Sequence, residues 1–452
     1  MTTLGIVGII VALLIFMLLV YKGVSSFIMA PICALIVAIT NSDMGLVESF
    51  YTFAEGTGQM IIQLFAVIFF GVILGKIYSE SKAAASLART LTNRFIMKRS
   101  GNAQVRIACL IMLIICGSMT LGGIDGFVLT FTTFPIAFII CEMVDIPRRF
   151  IPPMIMLNCA FMACPGAPQI DNIMMVNTLR GEGFDVTSTS GLIPGLIATA
   201  VVVILGYLTL TTFIIKAKNR GEHFDPGAVT EVHSFDNDVK LPNFFVALLP
   251  LILVFVLYSV FKLDVVIALV CGILLALITM GRYIDRKEGS LRKGILSVLN
   301  IGAGGFPHAV ATVSVPSGLA QVVTQTAAFG VIVGWLASLE LGPIMLGLVT
   351  VCVVVALTSA PPVALAVSLP IVVGICTAKG IAFNPHALGR VASLAATTFE
   401  SLPVNGMCVL TIGLAKSTYK DSYLVMFINT CLFTLLGTFI AAGLCIAFPG
   451  LA

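Results

Sequence analysis

The sequence predicts an all-α polytopic membrane protein made of two inverted-topology repeats, each with a re-entrant hairpin and a broken helix. Three observations lead there. Of 452 residues, 59% are hydrophobic and only 10% charged, which is outside the composition of soluble domains. The apolar residues fall in runs of about 20, the length of a bilayer-crossing helix, and show none of the dyad alternation of a membrane barrel. Two of those runs are interrupted by proline and glycine, in ACPGAPQIDN at 163–172 and ESLPVNGM at 400–407. Irregular backbone at membrane depth survives only where protein or a wet cavity satisfies its N–H and C=O groups, so paired breaks point to a binding site.

In chain order, the first run, 4–20, lacks a basic leader and a small-residue cleavage site and is expected to be a retained span. Spans at 24–40 and 60–77 follow, then a pair between 105 and 141, a broken helix over 152–178, and a span at 192–215. A charged stretch at 216–240, with the turn-like DPG at 225–227, is the one long hydrophilic linker. Beyond it come spans at 244–260 and 265–280, a less regular region at 295–323, and a pair between 331 and 377. A second interrupted span at 386–414 and a last span at 423–448 complete the series. The expected units are a first inverted repeat at 1–215, a cytoplasmic linker at 216–242 and a second inverted repeat at 243–452.

Charge sets the orientation. With both termini outside, all 25 lysines and arginines except Arg180, Lys262, Lys379 and Arg390 fall on the inner side, as the positive-inside rule requires. The expected location is a bacterial cytoplasmic (inner) membrane, crossed many times. The scheme needs 105–141 to enter and leave on the same side, as a re-entrant hairpin with its tip at LGGIDG, 121–126. Two full spans joined by a short outer turn would satisfy the charges equally. The repeat itself shows as TFPIAFII at 133–140 against SLPIVVGI at 368–375, which sets Pro135 and Pro370 235 residues apart. Tip-like stretches precede both, MTLGGIDG at 119–126 and LTSAPPVA at 357–364.

The chemistry follows from what the breaks hold. A carboxylate at membrane depth is a functional candidate by default. Asp125 at the first tip, Asp171 after the first break and Glu400 before the second are therefore the proton-coupling candidates, since desolvation and partners can move their affinity for a proton. Asp171 has an equal alternative as a helix N-cap. Pairing of Glu400 with Arg390 would be structural, but ten residues is too far for a same-face helical pair. His308 is titratable near neutrality, although a satisfied structural histidine is expected there. Thr358, Ser359, Thr397, Thr398 and Asn405 offer hydroxyl and amide partners to a hydroxylated carboxylate. Glycines at the first tip let the backbone approach a ligand closely. The second half of the first broken helix would present its positive end to an anion. With no basic residue but Arg390 near the expected centre, a singly charged substrate is favoured.

Other classes fit less well. No GxxxxGK[ST] motif is present for nucleotide-driven transport, and neither HExxH nor a nucleophile with its base is seen for a membrane-embedded enzyme. The polar residues cluster at the breaks and do not line a continuous pore. The twelve cysteines stand without a CxxC and the four histidines are scattered, so no metal or cofactor is expected. A net charge of +4 spread over loops gives no reason to expect nucleic acid.

At IPRRFIPPMIMLNCAFMACPGAPQIDN, 146–172, with FPIAFII upstream and LPVNG at 402–406, the chain resembles the gluconate permease family of the ion transporter superfamily. The resemblance implies a proton symporter of gluconate or related hydroxy acids such as 3-hydroxybutyrate. It also implies an elevator motion of a transport domain against a scaffold, and a homodimer. Carried onto this sequence, one half of the substrate site is Gly122, Gly123, Ile124, Asp125 and Gly126 with Pro165, Gly166, Ala167, Pro168, Gln169, Asp171 and Asn172. The other half is Thr358, Ser359, Ala360, Pro361 and Pro362 with Pro403, Asn405 and Gly406. Two departures from the family pattern, tandem prolines at the second tip and Val404 where relatives lead one to expect histidine, favour 3-hydroxybutyrate over gluconate. A sodium-coupled or antiporting carrier of di- or tricarboxylates is the alternative.

Overall fold

Each long apolar run folds as a helix, because hydrocarbon offers backbone N–H and C=O groups no partner outside their own segment. The computed structural model describes residues 2–22, 24–41, 45–121, 126–227, 240–261, 263–286 and 289–451. Among these, seven helices are long and apolar enough to cross a membrane, and an eighth span is reached if one bent helix is counted.

The chain opens with α1 (Thr2–Tyr21), α2 (Ser26–Thr40), α3 (Leu46–Glu80) and α4 (Ala83–Leu91). The bent helix is α3, which turns by 51° between Ile62 and Leu64. It begins well before the expected residue 60. Its first turns carry Glu48, Glu55 and Gln59, and this polarity hides them from a hydropathy reading. Nor did apolar length reveal α4, a short helix whose buried face is mostly alanine. Next come α5 (Asn102–Leu121) and α6 (Gly126–Val144), then α7 (Ile151–Met156), α8 (Cys159–Met162), α9 (Ile170–Gly181) and α10 (Leu192–Asn219). The first pair is a hairpin whose connecting residues, Gly122, Gly123, Ile124 and Asp125, lie outside the described residues.

The second half runs through α11 (Phe244–Phe255), α12 (Val265–Met280), α13 (Leu291–Thr324), α14 (Ala327–Ser338), α15 (Pro343–Thr358) and α16 (Pro361–Ala378). It ends with α17 (Pro385–Ala396), α18 (Gly406–Leu414), α19 (Tyr419–Phe427) and α20 (Phe433–Ala447). Two expectations are corrected here. The region called less regular is one continuous 34-residue helix, α13, which keeps going through Pro307 and Pro316. A proline removes one ladder bond and leaves the rest intact where a neighbouring helix supports it. That neighbour is α3, and the two approach closely at Gly318, where a Cβ would stand 2.6 Å from Phe53 O. The pair expected over 331–377 is three helices, of which α15 and α16 form the hairpin, joined by Ser359 in a left-handed conformation (φ 49°) and Ala360.

Both α3 and α13, at about 50 Å each, exceed the bilayer core of about 30 Å. With α1 and α2 they pack into one wall. The hairpins and broken helices form the body facing it. Apolar cores fill the space around α1, α2 and α15 to α18, and around α3 to α7 with α11 and α12.

The hairpins enter from opposite ends of α10. At its C-terminal end, Lys218 Nζ donates to Val144 O (2.6 Å) at the base of the first hairpin, and Arg149 Nη2 pairs with Glu222 at 2.8 Å. At its N-terminal end, Ser190 Oγ meets His386 Nδ1 at 2.8 Å, and the Phe184 and Phe383 rings lie 5.3 Å apart beside the base of the second hairpin. The repeats are therefore inverted. Asp145, in the turn after α6, accepts from the Phe224 N–H and from His223 Nδ1, both at 2.8 Å. Burial pushes its carboxyl up, but these donors outweigh burial and hold it below the usual carboxylate range.

Candidate functional site

The first break exists because Pro165 and Pro168 lack N–H donors, so α8 cannot run on into α9. The carbonyls this frees are collected by two side chains. Asn172 Nδ2 donates to Cys164 O and Ala167 O, both at 2.9 Å. Its Oδ1 accepts from Ser393 Oγ (3.0 Å) and from Arg390 Nη1 (2.9 Å). Arg390, on α17 of the other repeat, is fully buried. It also donates to Ala163 O (2.7 Å), Ser190 O (2.8 Å) and Ser188 O. All four acceptors are neutral oxygens, and Ala163 O lies at the carbonyl end of α8, where a cation is favoured. Gly195 leaves room for the arginine stem, since a Cβ there would stand 2.8 Å from Arg390 Cδ.

At the second break local bonds are joined by one from Tyr419 Oη to Pro403 O at 3.1 Å. Thr397 and Thr398 hydroxyls turn back to Leu394 O (2.8 Å) and Ala395 O (2.7 Å). Asn405 caps α18, its Oδ1 accepting from Met407 N–H at 2.8 Å, while its Nδ2 donates to Ser359 O at 3.2 Å, on the hairpin tip. The first repeat has a counterpart: Gln169, in the N-cap position of α9, donates from Nε2 to Thr120 O (2.6 Å) beside its own hairpin tip. In each repeat an amide side chain thus ties the start of the second half-helix to the hairpin.

Between the breaks and the wall lies a cavity of about 130 Å³. From the body come Gly126, Ile170, Asp171, residues 357–362, Glu400, Val404, Asn405, Gly406 and Met407; from the wall come Leu13, Met60, Leu64, Pro316 and Leu319. Two carboxylates line it, and no lysine, arginine or histidine does among the described residues. A larger cavity of about 660 Å³ opens along the same seam toward the basic end, lined by Lys76, His308, Lys416 and Tyr419 among others.

The expected site residues are thus divided. Gly126, Asp171, Thr358, Ser359, Ala360, Pro361, Pro362, Asn405 and Gly406 converge on the cavity, with Glu400 beside them. Pro165, Gly166, Ala167, Pro168, Gln169, Asn172 and Pro403 are not in its lining and frame the breaks behind it. Asp171 stands in the first turn of α9, not at its N-cap. Glu400 lies inside the second break, and none of the four hydrogen bonds of Arg390 reaches it. His308 faces the larger cavity, edge-on to Phe27 at 5.6 Å. Arg390 is the residue that sequence reasoning missed as a structural centre. A lone arginine in an apolar run was the available signal, but its partners lie some 200 positions away.

Comparison with known proteins bears on this geometry. The chain is 26% identical to the uncharacterized transporter YxjC of Bacillus subtilis over 94% of its length and 96% of that protein. It is 24% identical to the Gnt-II system L-idonate transporter of Escherichia coli, covering 70% of this chain and 71% of the relative. Among solved structures it matches the Alcanivorax borkumensis YdaH transporter at 14% identity and a TM-score of 0.39, over 88% of each chain. The model of the GntP family permease matches residues 2–265, more than half of the sequence. A polytopic helical chain with paired breaks closing on one cavity, and matched in this way, belongs to the GntP family of permeases.

Proposed function

We propose that the chain is a proton-coupled symporter of a small hydroxy monocarboxylate, working by an elevator motion. The observation that carries this reading is the charge of the cavity: Asp171 and Glu400 line it and no cationic side chain does among the described residues. An anion entering beside two ionised carboxylates is repelled. It binds well only when at least one of them has taken up a proton, so proton and substrate affinities are linked. Asp125, outside the described residues, is the third coupling candidate. The hydroxyls of Thr358 and Ser359 and the amide of Asn405 would serve the substrate's oxygens. Leu13, Met60, Leu64, Ile170 and Val404 would face its carbon chain. So apolar a lining suits 3-hydroxybutyrate better than a polyol acid such as gluconate or the L-idonate named for one relative.

The elevator reading rests on the seam. Both cavities lie where the body of hairpins and broken helices meets the wall of α1, α2, α3 and α13, and sliding along that seam would carry the site across the membrane. The wider cavity opens toward the basic end, which the positive-inside rule assigns to the cytoplasm, so this conformation faces inward. A homodimer through the wall, in a bacterial cytoplasmic membrane with both termini outside, completes the proposal.

The test is uptake of labelled 3-hydroxybutyrate and labelled gluconate into proteoliposomes under an inward proton gradient, with a sodium gradient as control. Proton-driven uptake of the shorter acid is expected. Uptake driven by sodium alone, or of di- and tricarboxylates instead, would replace this reading with the alternative carrier.

A further inference from the structure

Away from the seam, the end of α12, the residues before α11 and the start of α4 converge on an open cationic bowl of about 570 Å³. Lys82, Lys240, Arg282 and Arg286 line it, and Asp285 is the one carboxylate in the lining among the described residues. Lys82 Nζ takes that carboxylate at 2.9 Å. Arg282 lies over the Tyr283 ring, 5.0 Å from its centroid, and donates to its hydroxyl at 3.0 Å. Lys240 and Arg286 are exposed and form no ion pair among the described residues. Cations gathered in this way favour an anion among them.

The bowl continues into an apolar surface. On α11, Phe245, Leu249 and Ile252 point outward at helical spacing, and on α12, Ile267, Leu274 and Ile278 do the same. Phe245 is 76% exposed and Ile278 80%. Ile278 stands one turn before Arg282, and Phe245 follows Lys240 by five residues, so charge and apolar stripes adjoin. A free phosphate would use only the bowl. A second copy of the chain in a two-fold contact would set these cations against their own kind. We propose that this surface binds an anionic phospholipid, its phosphate in the bowl and its acyl chains along α11 and α12. The inference needs only that the chain is embedded in a membrane and is independent of what it transports.

The test uses the full chain purified in uncharged detergent. Its thermal midpoint is titrated with phosphatidylglycerol, with phosphatidylcholine and with glycerol 1-phosphate. Phosphatidylglycerol is expected to raise the midpoint saturably, and the other two to do little at equal concentration. In the triple variant Lys240→Ala, Arg282→Ala, Arg286→Ala, the half-saturating concentration should rise roughly tenfold or more, with the lipid-free midpoint unchanged. Should that variant not fold, native mass spectrometry of the wild type, counting bound phosphatidylglycerol against phosphatidylcholine, decides the same question. Equal effects of the two lipids, an equal effect of glycerol 1-phosphate, or a variant that keeps the wild-type titration would overturn the proposal.

Discussion

At the first break the carbonyls of Ala163, Cys164 and Ala167, with those of Ser188 and Ser190, converge on one guanidinium and one amide. At the second, Asn405 caps its own half-helix and reaches Ser359 O, the threonines bond back within their own turn, and Tyr419 Oη donates to Pro403 O. The same irregularity in two equivalent places is thus held by one shared buried cation in one and by separate, mostly shorter-range bonds in the other. The cavity reflects this. Glu400, Val404, Asn405 and Gly406 of the second break reach it, whereas from the neighbourhood of the first come only Ile170 and Asp171 at the start of α9 and Met162 at the end of α8. The first break reads as frame and the second as the face turned to the cavity.

The sharpest way to break that contrast is Arg390→Met. It strips the donor from three buried acceptors and a part-buried one, and a loss of about 3–5 kcal/mol is expected, read as a fall in folded yield and thermal midpoint. Arg390→Lys keeps the charge but not the fork, and should recover only part of it. Stability like wild type in both variants would remove the frame from the argument.

Next in size is the effect expected from the coupling role proposed for the second break. Glu400→Gln should abolish accumulation driven by a proton gradient, a loss of more than about tenfold, while substrate exchange at equal pH persists. Asp171→Asn tests the same role on the framed side. If both variants accumulate substrate as wild type does, neither break carries the proton.

The amide ties should give smaller effects. Asn405→Ser keeps an N-cap acceptor but cannot reach Ser359 O, and Gln169→Met leaves Thr120 O without its donor. Each should cost about 1 kcal/mol. Hydrogen exchange should rise locally, around 357–362 for the first variant and around 118–121 for the second; a rise in both regions from either variant would argue for general loosening.

The smallest effect is expected at the base of the first hairpin. Asp145 is held below the ordinary carboxylate range by Phe224 N–H and His223. Its contribution is therefore present above the unfolded value of about 3.9 and disappears as pH falls through the lower folded value. Wild type should exceed Asp145→Asn slightly in thermal midpoint at neutral pH, and the gap should close in acid. A gap independent of pH would assign the difference to something other than ionisation.

How legible this was in the sequence depended on the range of the forces involved. Spans such as 265–280 were placed to the residue because hydropathy is a local property, and both breaks were visible because Pro165, Pro168 and Pro403 act on their own backbone. What failed was whatever a neighbour decides. Pro307 and Pro316 suggested irregularity, but α3 lies alongside and the helix runs on. The polar start of α3 fell outside the expected span at 60–77, yet it packs against α13. Within the candidate site, residue types gave the cavity's Asp171, Glu400 and Asn405. They could not tell these from Gln169 and Asn172, whose side chains are committed to carbonyls of the frame.

Arg390 has a further consequence for how the chain is made. The ribosome completes α7, α8 and α9 more than two hundred residues before it reaches this arginine. Until then the carbonyls of Ala163, Ser188 and Ser190 have to wait for the donor that will finally hold them. The first half cannot complete this set of bonds until the second has been made.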